Sequence, residues 1–285
     1  MAIFQEEGCI MRTFRLLQRD IVLGIFRRWY IAIIPVILGC AGAIDCHGWI
    51  MRLDESSYGH QSGTVWDYIM YCMQGTSPLM FQPALVFSLP VMWTIFQFGA
   101  AYMVAYYAQE DFASSGLTLF IAVRDRKKWW RSKYIWCMLS VIIYYVIYFS
   151  AVIFTAVVYG ADMSFSATKR ILYVHGINVA GLSMADMVFI VILLPMLITL
   201  AISLVQIFVS FVLTPVISFA LVCAMYVLSA YYTIWELPGN YTMWFRCSYI
   251  AENGLDPKGG LFMAIILMVM AIVLGRIYFE NKDVC

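Results

Sequence analysis

The chain has 285 residues, of which 63% are hydrophobic and only 12% are charged. Soluble domains carry about 25% charged residues, so this composition excludes an ordinary soluble enzyme and indicates an integral membrane protein. The formal net charge of +1 gives no reason to expect a nucleic-acid partner. Apolar segments and their connections take up nearly the whole length, so we expect one membrane domain, 1–285, without a separate catalytic domain.

The N-terminal residues 10–28 have the pattern of an amphipathic helix. Apolar side chains recur every three or four residues, at Ile10, Phe14, Leu17, Ile21 and Ile25. Arginine residues share another face, at Arg12, Arg15 and Arg19. A helix of this kind lies in the membrane interface, with its apolar face in the headgroup boundary and its arginines beside anionic lipid. The pattern predicts an interfacial helix over 10–28.

Six apolar segments follow, and each is near or above the roughly 17–25 residues that a membrane-spanning helix needs. They are 29–44, 80–108, 134–160, 186–213, 215–235 and 261–279. The predicted fold class is therefore an all-α membrane protein with six transmembrane helices. The stretch Ile37–Cys40 loosely resembles a lipoprotein cleavage site, but an uncleaved first span is the simpler interpretation. Pro195 lies inside the fourth segment and predicts a bend there.

The distribution of basic residues predicts the topology. Six spans return both termini to one side, and that side would hold thirteen of the eighteen Lys and Arg residues against five on the other. Basic residues near the ends of spans stay in the cytoplasm, so we expect both termini to be cytoplasmic. The expected location is the plasma membrane, as a multi-pass protein of a bacterial cytoplasmic membrane.

Two of the segments expected on the outer side, 45–79 and 236–260, have features of their own. Residues 45–79 contain several Gly and Pro residues that favour turns, and Asp45, His47, Asp54 and His60 are interpreted as solvated loop residues because their spacing matches no metal site. The segment 236–260 keeps aromatic residues between Tyr241 and Ile250, which predicts a short helix dipping into the outer headgroup region. Asn240-Tyr-Thr242 matches a glycosylation pattern by chance. A disulfide among Cys46, Cys72 and Cys247 remains open.

The apolar cores of the spans contain uncharged polar residues in place of ionisable ones. Gln97, Thr199 and Gln206 are candidates for a translocation path, although hydrogen bonds between helices also explain such residues. Carriers coupled to an ion or proton need ionisable groups at membrane depth, which favours energy from a partner. The sequence has no Gly-x4-Gly-Lys-Ser/Thr motif, so we do not expect the chain to hydrolyse ATP itself, and no metal or catalytic residue is predicted.

The segment 109–133 between the second and third spans carries the main functional signal. It opens with Glu110 and Asp111, includes Gly116, and ends in a basic and aromatic stretch. That stretch, 124–133, contains six of the eighteen Lys and Arg residues. Its basic half is explained by topology, whereas the acidic and Gly-containing half is not.

Together with the amphipathic N-terminal helix, the six spans and the aromatic segment before the last span, this loop resembles the permease subunits of type-2 ABC exporters. The residues that carry the resemblance are Glu110, Gly116, Arg124, Arg126 and Lys133, with Trp129 and Trp130 beside them. The resemblance covers the whole chain in layout, but its specific part is limited to about 25 residues around the loop.

The resemblance implies that the loop is a coupling helix which docks on separate ABC ATP-binding subunits. The implied docking residues are Glu110, Asp111, Gly116, Leu117, Phe120, Arg124 and Arg126. Trp129, Trp130 and Lys133 would anchor the loop at the membrane interface. The partner subunits would bind ATP and Mg, and a second permease chain, identical or not, would complete the path for an amphipathic or hydrophobic cargo. The alternatives are a membrane peptide-binding or immunity protein, and a non-ABC carrier or channel.

Overall fold

A computed structural model describes residues 16–55, 63–78, 89–113, 126–167 and 182–281. Their regular secondary structure is helical, apart from two isolated β-bridges, Thr64 with Asp162 and Cys247 with Leu255. The helices are α1 (16–24), α2 (Ile33–Glu55), α3 (Val65–Met73), α4 (Val91–Ala105), α5 (Tyr107–Asp111), α6 (Arg126–Val158), α7 (Met184–Val212), α8 (Pro215–Tyr231) and α9 (Pro257–Asn281). Short 3-10 segments lie at Phe26–Ala32, Pro238–Thr242 and Trp244–Arg246.

Four of these helical stretches are long and apolar enough to cross a membrane. They are Phe26–Arg52, Lys127–Val158, Met184–Val212 and Pro257–Asn281, with 27, 32, 29 and 25 residues. Large apolar side chains such as Phe154 on α6 and Phe262 on α9 are exposed on their outer faces, where lipid would cover them. The protein is therefore a multi-pass helical membrane protein.

The two other predicted spans coincide with shorter helices. Helix α8 is apolar and has 17 residues, against the 21 residues of the predicted range 215–235. Helix α4 has 15 residues, and residues 80–88 of the predicted second span lie outside the described ranges. A described helix thus overlaps every predicted span, and four of the helical stretches meet the length for crossing.

Helix α7 lies at the centre of the bundle and packs against α4, α6, α8 and α9. It begins with a capping box, in which Ser183 and Asp186 each accept a hydrogen bond from the other's backbone N–H. A π-helical stretch, Phe189–Leu193, stands just before Pro195, and Leu194 donates its N–H to the carbonyl of Phe189. Pro195 has no N–H to donate, and the wider π-helical turn before it accommodates the missing hydrogen bond. The bend predicted at Pro195 therefore takes the form of a π-bulge.

The segment between the first and second spans is more helical than the sequence indicated. Helix α2 continues to Glu55, and α3 follows where turns were expected. Thr64 and Asp67 form a capping box at the start of α3, and most of its side chains are buried against α2 and α6. Asp45 accepts a hydrogen bond from Tyr71 Oη at 2.6 Å, and the His47 ring stacks on Tyr159, so these two residues are not simply solvated.

The segment before the last span forms two short 3-10 turns that pack against the helices, where the sequence predicted one short helix. Its two 3-10 turns bury Tyr241, Trp244 and Arg246 beside α7 and α8. Asn240 is fully buried and donates through Nδ2 to the carbonyls of Tyr232 and Ile234, at 2.9 and 2.8 Å. A buried Asn240 is consistent with a chance match to the glycosylation pattern.

Candidate functional site

Four charged side chains meet inside the protein at the end of the bundle where the 109–133 loop leaves and returns. Arg19 and Asp20 belong to α1, Asp111 ends α5, and Lys133 lies in the second turn of α6. Lys133 Nζ lies 2.7 Å from Asp20 Oδ1 and 2.7 Å from Asp111 Oδ2. Arg19 pairs with the other oxygen of Asp111 and stands 3.8 Å from Asp20 Oδ1. We call Arg19, Asp20, Asp111 and Lys133 the ion cluster.

The ion cluster is almost completely removed from solvent. The side chains of Lys133, Asp20 and Asp111 are 1%, 2% and 3% exposed, whereas that of Arg19 is 28% exposed. Two cations face two anions, so no net charge is buried. Removing one member of such a set leaves an uncompensated buried charge and costs roughly 3–5 kcal/mol. The three segments that supply the four residues are therefore held together at one point.

Neutral groups complete the coordination of Asp20 and Lys133. Tyr107 Oη donates to Asp20 Oδ1 at 2.9 Å, and Ser132 Oγ donates to Asp20 Oδ2 at 2.5 Å. Lys133 Nζ lies 4.8 Å from the ring centre of Tyr107 and 5.3 Å from that of Trp129, within the range of a cation–π contact. These contacts satisfy both oxygens of the Asp20 carboxylate within the protein.

A second ion pair lies further out on the same end of the bundle. Arg28, in the 3-10 turn after α1, pairs with Glu110, whose side chain is 60% exposed. The Arg28 guanidinium also lies 5.5 Å from the ring centre of Tyr107. Glu110 is therefore reachable from outside the protein, and its only described ion pair ties it to the connection between α1 and α2.

Trp129 and Trp130, predicted as anchors at the membrane interface, lie in the hydrophobic core next to the ion cluster. Both rings are buried, and both contact Phe211 of α7 and Phe279 of α9. Trp130 Nε1 also donates to the carbonyl of Ile272 at 3.1 Å. Lys133, predicted as a third interface anchor, is buried in the ion cluster. Basic and aromatic residues at the end of a span are compatible both with anchoring at the membrane interface and with burial inside the protein. Only the packing of the helices distinguishes these two arrangements.

The structure separates the predicted docking residues. Gly116, Leu117, Phe120 and Arg124 lie outside the described ranges, as does the side chain of Arg126 at the start of α6. Asp111 is buried in the ion cluster, so its carboxylate is not available as a contact for a partner subunit. Glu110 is the predicted docking residue that the structure describes as exposed.

The three path candidates are buried between helices. Thr199 Oγ1 lies 2.8 Å from Tyr145 Oη and 3.1 Å from Gln97 Oε1, which connects α7 to α6 and α4. Gln206 Nε2 donates to the carbonyl of Ala101 at 3.0 Å. These contacts agree with the alternative that such residues hydrogen-bond neighbouring helices.

Sequence reasoning did not identify the roles of Asp20 and Arg246. Asp20 is the only acidic residue in the basic segment 10–28, and with Leu16 and Gly24 it forms a buried stripe on α1. The sequence does contain a signal for this role, namely a single acidic residue among basic ones at helical spacing from small and apolar residues. Arg246 is buried, and it donates to the carbonyls of Ser229 and Ala230 at the end of α8. Burial lowers the pKa of Arg246 to about 10, so its guanidinium remains charged at neutral pH.

No family model matches this chain, and neither the curated proteins nor the solved structures contain a significant match to it.

Proposed function

We propose that this chain is the membrane-spanning permease subunit of an ABC exporter, with six transmembrane helices, an interfacial N-terminal helix and both termini in the cytoplasm. Separate ATP-binding subunits supply the energy, and the chain itself carries no catalytic residue. The 109–133 loop docks on those subunits. The resemblance in layout and in the loop residues Glu110, Gly116 and Lys133 motivates this proposal, and no family match stands behind it.

The observation that best supports a mechanical role for the loop is the ion cluster at its base. The loop leaves α5 just after Asp111 and returns into α6 a short distance before Lys133, and these two side chains form an ion pair. Both ends of the loop are therefore fixed to each other and, through Asp20, to α1. A displacement of the loop by a partner acts on α1, α4 and α6 together, because buried, paired charges do not separate without a large cost.

In this proposal the translocation path lies between two permease chains, and alternating access opens it to either side in turn. Closure of the ATP-binding subunits, with ATP and Mg bound, moves the loops and hence the helices that they anchor. Gln97, Thr199 and Gln206 hold neighbouring helices in register as these move. The cargo is an amphipathic or hydrophobic molecule, such as a peptide, a drug or a lipid-like compound, which suits a chain with 19 Phe, 19 Tyr and 18 Met residues.

The deciding experiment is co-purification of the full-length chain with an ATP-binding subunit from its own cells, followed by transport measurements. We expect a stand-alone ABC subunit to co-purify, and to be lost when residues 112–125 are replaced by a Gly/Ser linker of the same length. This replacement leaves both Asp111 and Lys133 of the ion cluster in place. If no ATP-binding subunit co-purifies in any of the detergents and lipids tested, the proposal is contradicted.

Point variants test the coupling itself. Glu110→Gln and Gly116→Leu are expected to leave the chain inserted in the membrane but to separate ATP hydrolysis from transport. Glu252→Gln is the control, since Glu252 is also an exposed acidic residue but lies outside the loop. Unchanged transport in both loop variants contradicts the docking hypothesis.

A further inference from the structure

A cavity of about 200 Å³ lies near the end of the bundle opposite the ion cluster. It is formed by the second half of α2, the end of α3, the start of α4 and the side of α6. Its wall contains Asp45, Tyr71, Gln74, Trp93 and Tyr148. We call it the α3 cavity. Its volume is below the roughly 300–1,000 Å³ of pockets that hold drug-sized ligands, so it suits a small molecule or a single functional group.

Two oxygen acceptors in this wall, the Asp45 carboxylate and Gln74 Oε1, have no cationic partner among the described residues. Asp45 Oδ2 accepts a hydrogen bond from Tyr71 Oη at 2.6 Å, and no Lys, Arg or His among the described residues lies within ion-pair distance of this carboxylate. Gln74 Oε1 is buried and has no hydrogen-bond partner among the described residues. Asp45 is exposed, so its carboxylate is accessible to a ligand that enters the cavity. An accessible carboxylate and an unpaired amide oxygen at one cavity favour a ligand that is positively charged and donates hydrogen bonds.

Two basic residues of this region, Arg246 and His47, are engaged with other groups. Arg246 donates Nε to the Thr76 carbonyl at 3.1 Å, and its other nitrogens donate to Asn240 and to carbonyls at the end of α8. His47, on the same helix as Asp45, has its ring stacked on Tyr159 with Nδ1 3.1 Å from Tyr68 Oη. Neither residue neutralises Asp45.

Three aromatic residues contribute to the wall, beside apolar ones such as Val91 and Met92. Tyr71, Trp93 and Tyr148 all line the cavity, and Trp49 packs on Tyr71 with ring centres 5.8 Å apart. Their polar atoms are used within the protein: Trp93 Nε1 donates to Thr242 Oγ1 at 3.0 Å, and Tyr148 Oη donates to the Cys72 carbonyl at 3.2 Å. These bonds fix the rings. Rings fixed around a carboxylate attract organic cations through their π-faces.

We propose that the α3 cavity binds an alkylammonium group, with Asp45 as its counter-ion and Tyr71, Trp93 and Tyr148 as an aromatic cage. The group belongs to a soluble amine or to the headgroup of a choline lipid, which share this chemistry. The inference does not depend on the proposed exporter function, because it rests on the cavity and its charges alone.

The test is a calorimetric titration with choline of the full-length chain in phosphatidylglycerol nanodiscs. Choline is expected to saturate one site per chain, and its neutral tert-butyl isostere to bind at least about tenfold more weakly. Asp45→Asn, which keeps an acceptor for Tyr71, is expected to weaken choline binding by at least about tenfold. Glu252→Gln, an exposed acid at the same end of the bundle, is the matched control and should change the affinity by less than about twofold.

A pair of variants at Tyr71 separates the ring from its hydroxyl. Tyr71→Phe keeps the ring and should retain choline binding, whereas Tyr71→Leu should lose it. Circular dichroism and the thermal midpoint establish that each variant is folded. Equal binding of the neutral isostere, or equal affinity of the Asp45→Asn and Glu252→Gln variants, overturns the proposal.

The same titration in phosphatidylcholine nanodiscs identifies the source of the group. Loss of choline binding there shows that the lipid headgroup occupies the cavity, and retained binding shows a site for soluble amines. Both outcomes support the alkylammonium site. Absence of saturable choline binding in both lipids overturns it.

Discussion

Lys133 Nζ and Asp20 Oδ1 lie 2.7 Å apart although 113 residues separate them in the sequence. The pair joins the N-terminal helix to the start of α6 at a place where both side chains are excluded from solvent. Asp111 and Arg19 complete the cluster, so its members depend on one another. The first prediction follows from this dependence.

We predict that Asp20→Asn destabilises the protein by about 3–5 kcal/mol, because Lys133 and Arg19 then share one carboxylate in a buried site. Lys133→Met is expected to act similarly. The double variant should cost less than the sum of the two, since it buries no unpaired charge at this pair. Unfolding in detergent, followed by circular dichroism, measures all three. Strictly additive losses contradict the coupling.

Gly24 gives a prediction about the approach of α1 to the bundle. A Cβ at this position would lie 2.4 Å from Trp136 Nε1 and 3.0 Å from Tyr107 Cε1, so even alanine displaces the helix or the rings. We expect Gly24→Ala to lower the thermal midpoint. Gly48→Ala is the matched control: position 48 lies inside α2 with no atom within 4 Å of its Cβ, so alanine should raise stability by about 0.5–1 kcal/mol. A similar gain at both sites is inconsistent with close packing of α1.

Arg246 is expected to hold the segment before α9 in place. Its guanidinium donates to the Ala230 carbonyl at 2.7 Å and to the Thr76 carbonyl at 3.1 Å. Arg246→Met leaves buried carbonyls without partners and should cost roughly 2–4 kcal/mol. Arg246→Lys should recover only part of this, because an ammonium cannot reproduce the planar fork of donors. Limited proteolysis of residues 236–256 measures the local opening, and full recovery by lysine contradicts this explanation.

The topology is testable by cysteine labelling in intact cells. We expect Glu252→Cys to react with a membrane-impermeant maleimide added outside, because the thirteen-to-five distribution of basic residues predicts that this segment lies outside. Lys127→Cys should react only after the membrane is permeabilised. The parent chain, with its eight native cysteines, provides the background. The reverse pattern of labelling means that both termini face outward.

The helical content and the membrane character follow from composition and from apolar run length, because crossing a bilayer imposes a minimum length on a helix. Helices α7 and α9 were predictable in this way to within about four residues at each end, whereas α6 begins at Arg126, well before the predicted 134. The continuation of α2 to Glu55 and the short helix α3 were not. Their helical pattern depends on burial against other helices, which single-sequence periodicity does not report.

The sequence by itself determined that this chain crosses a membrane several times, and that charged residues concentrate in one connecting loop. Only the tertiary structure decided what those residues do. Lys133, Trp129 and Trp130 have the composition of a membrane-interface anchor, yet they are buried, because α1 supplies Asp20 and α9 supplies Phe279 to cover them. A charge is compatible with the interior only beside its counter-charge, and the partner of Lys133 lies 113 residues away.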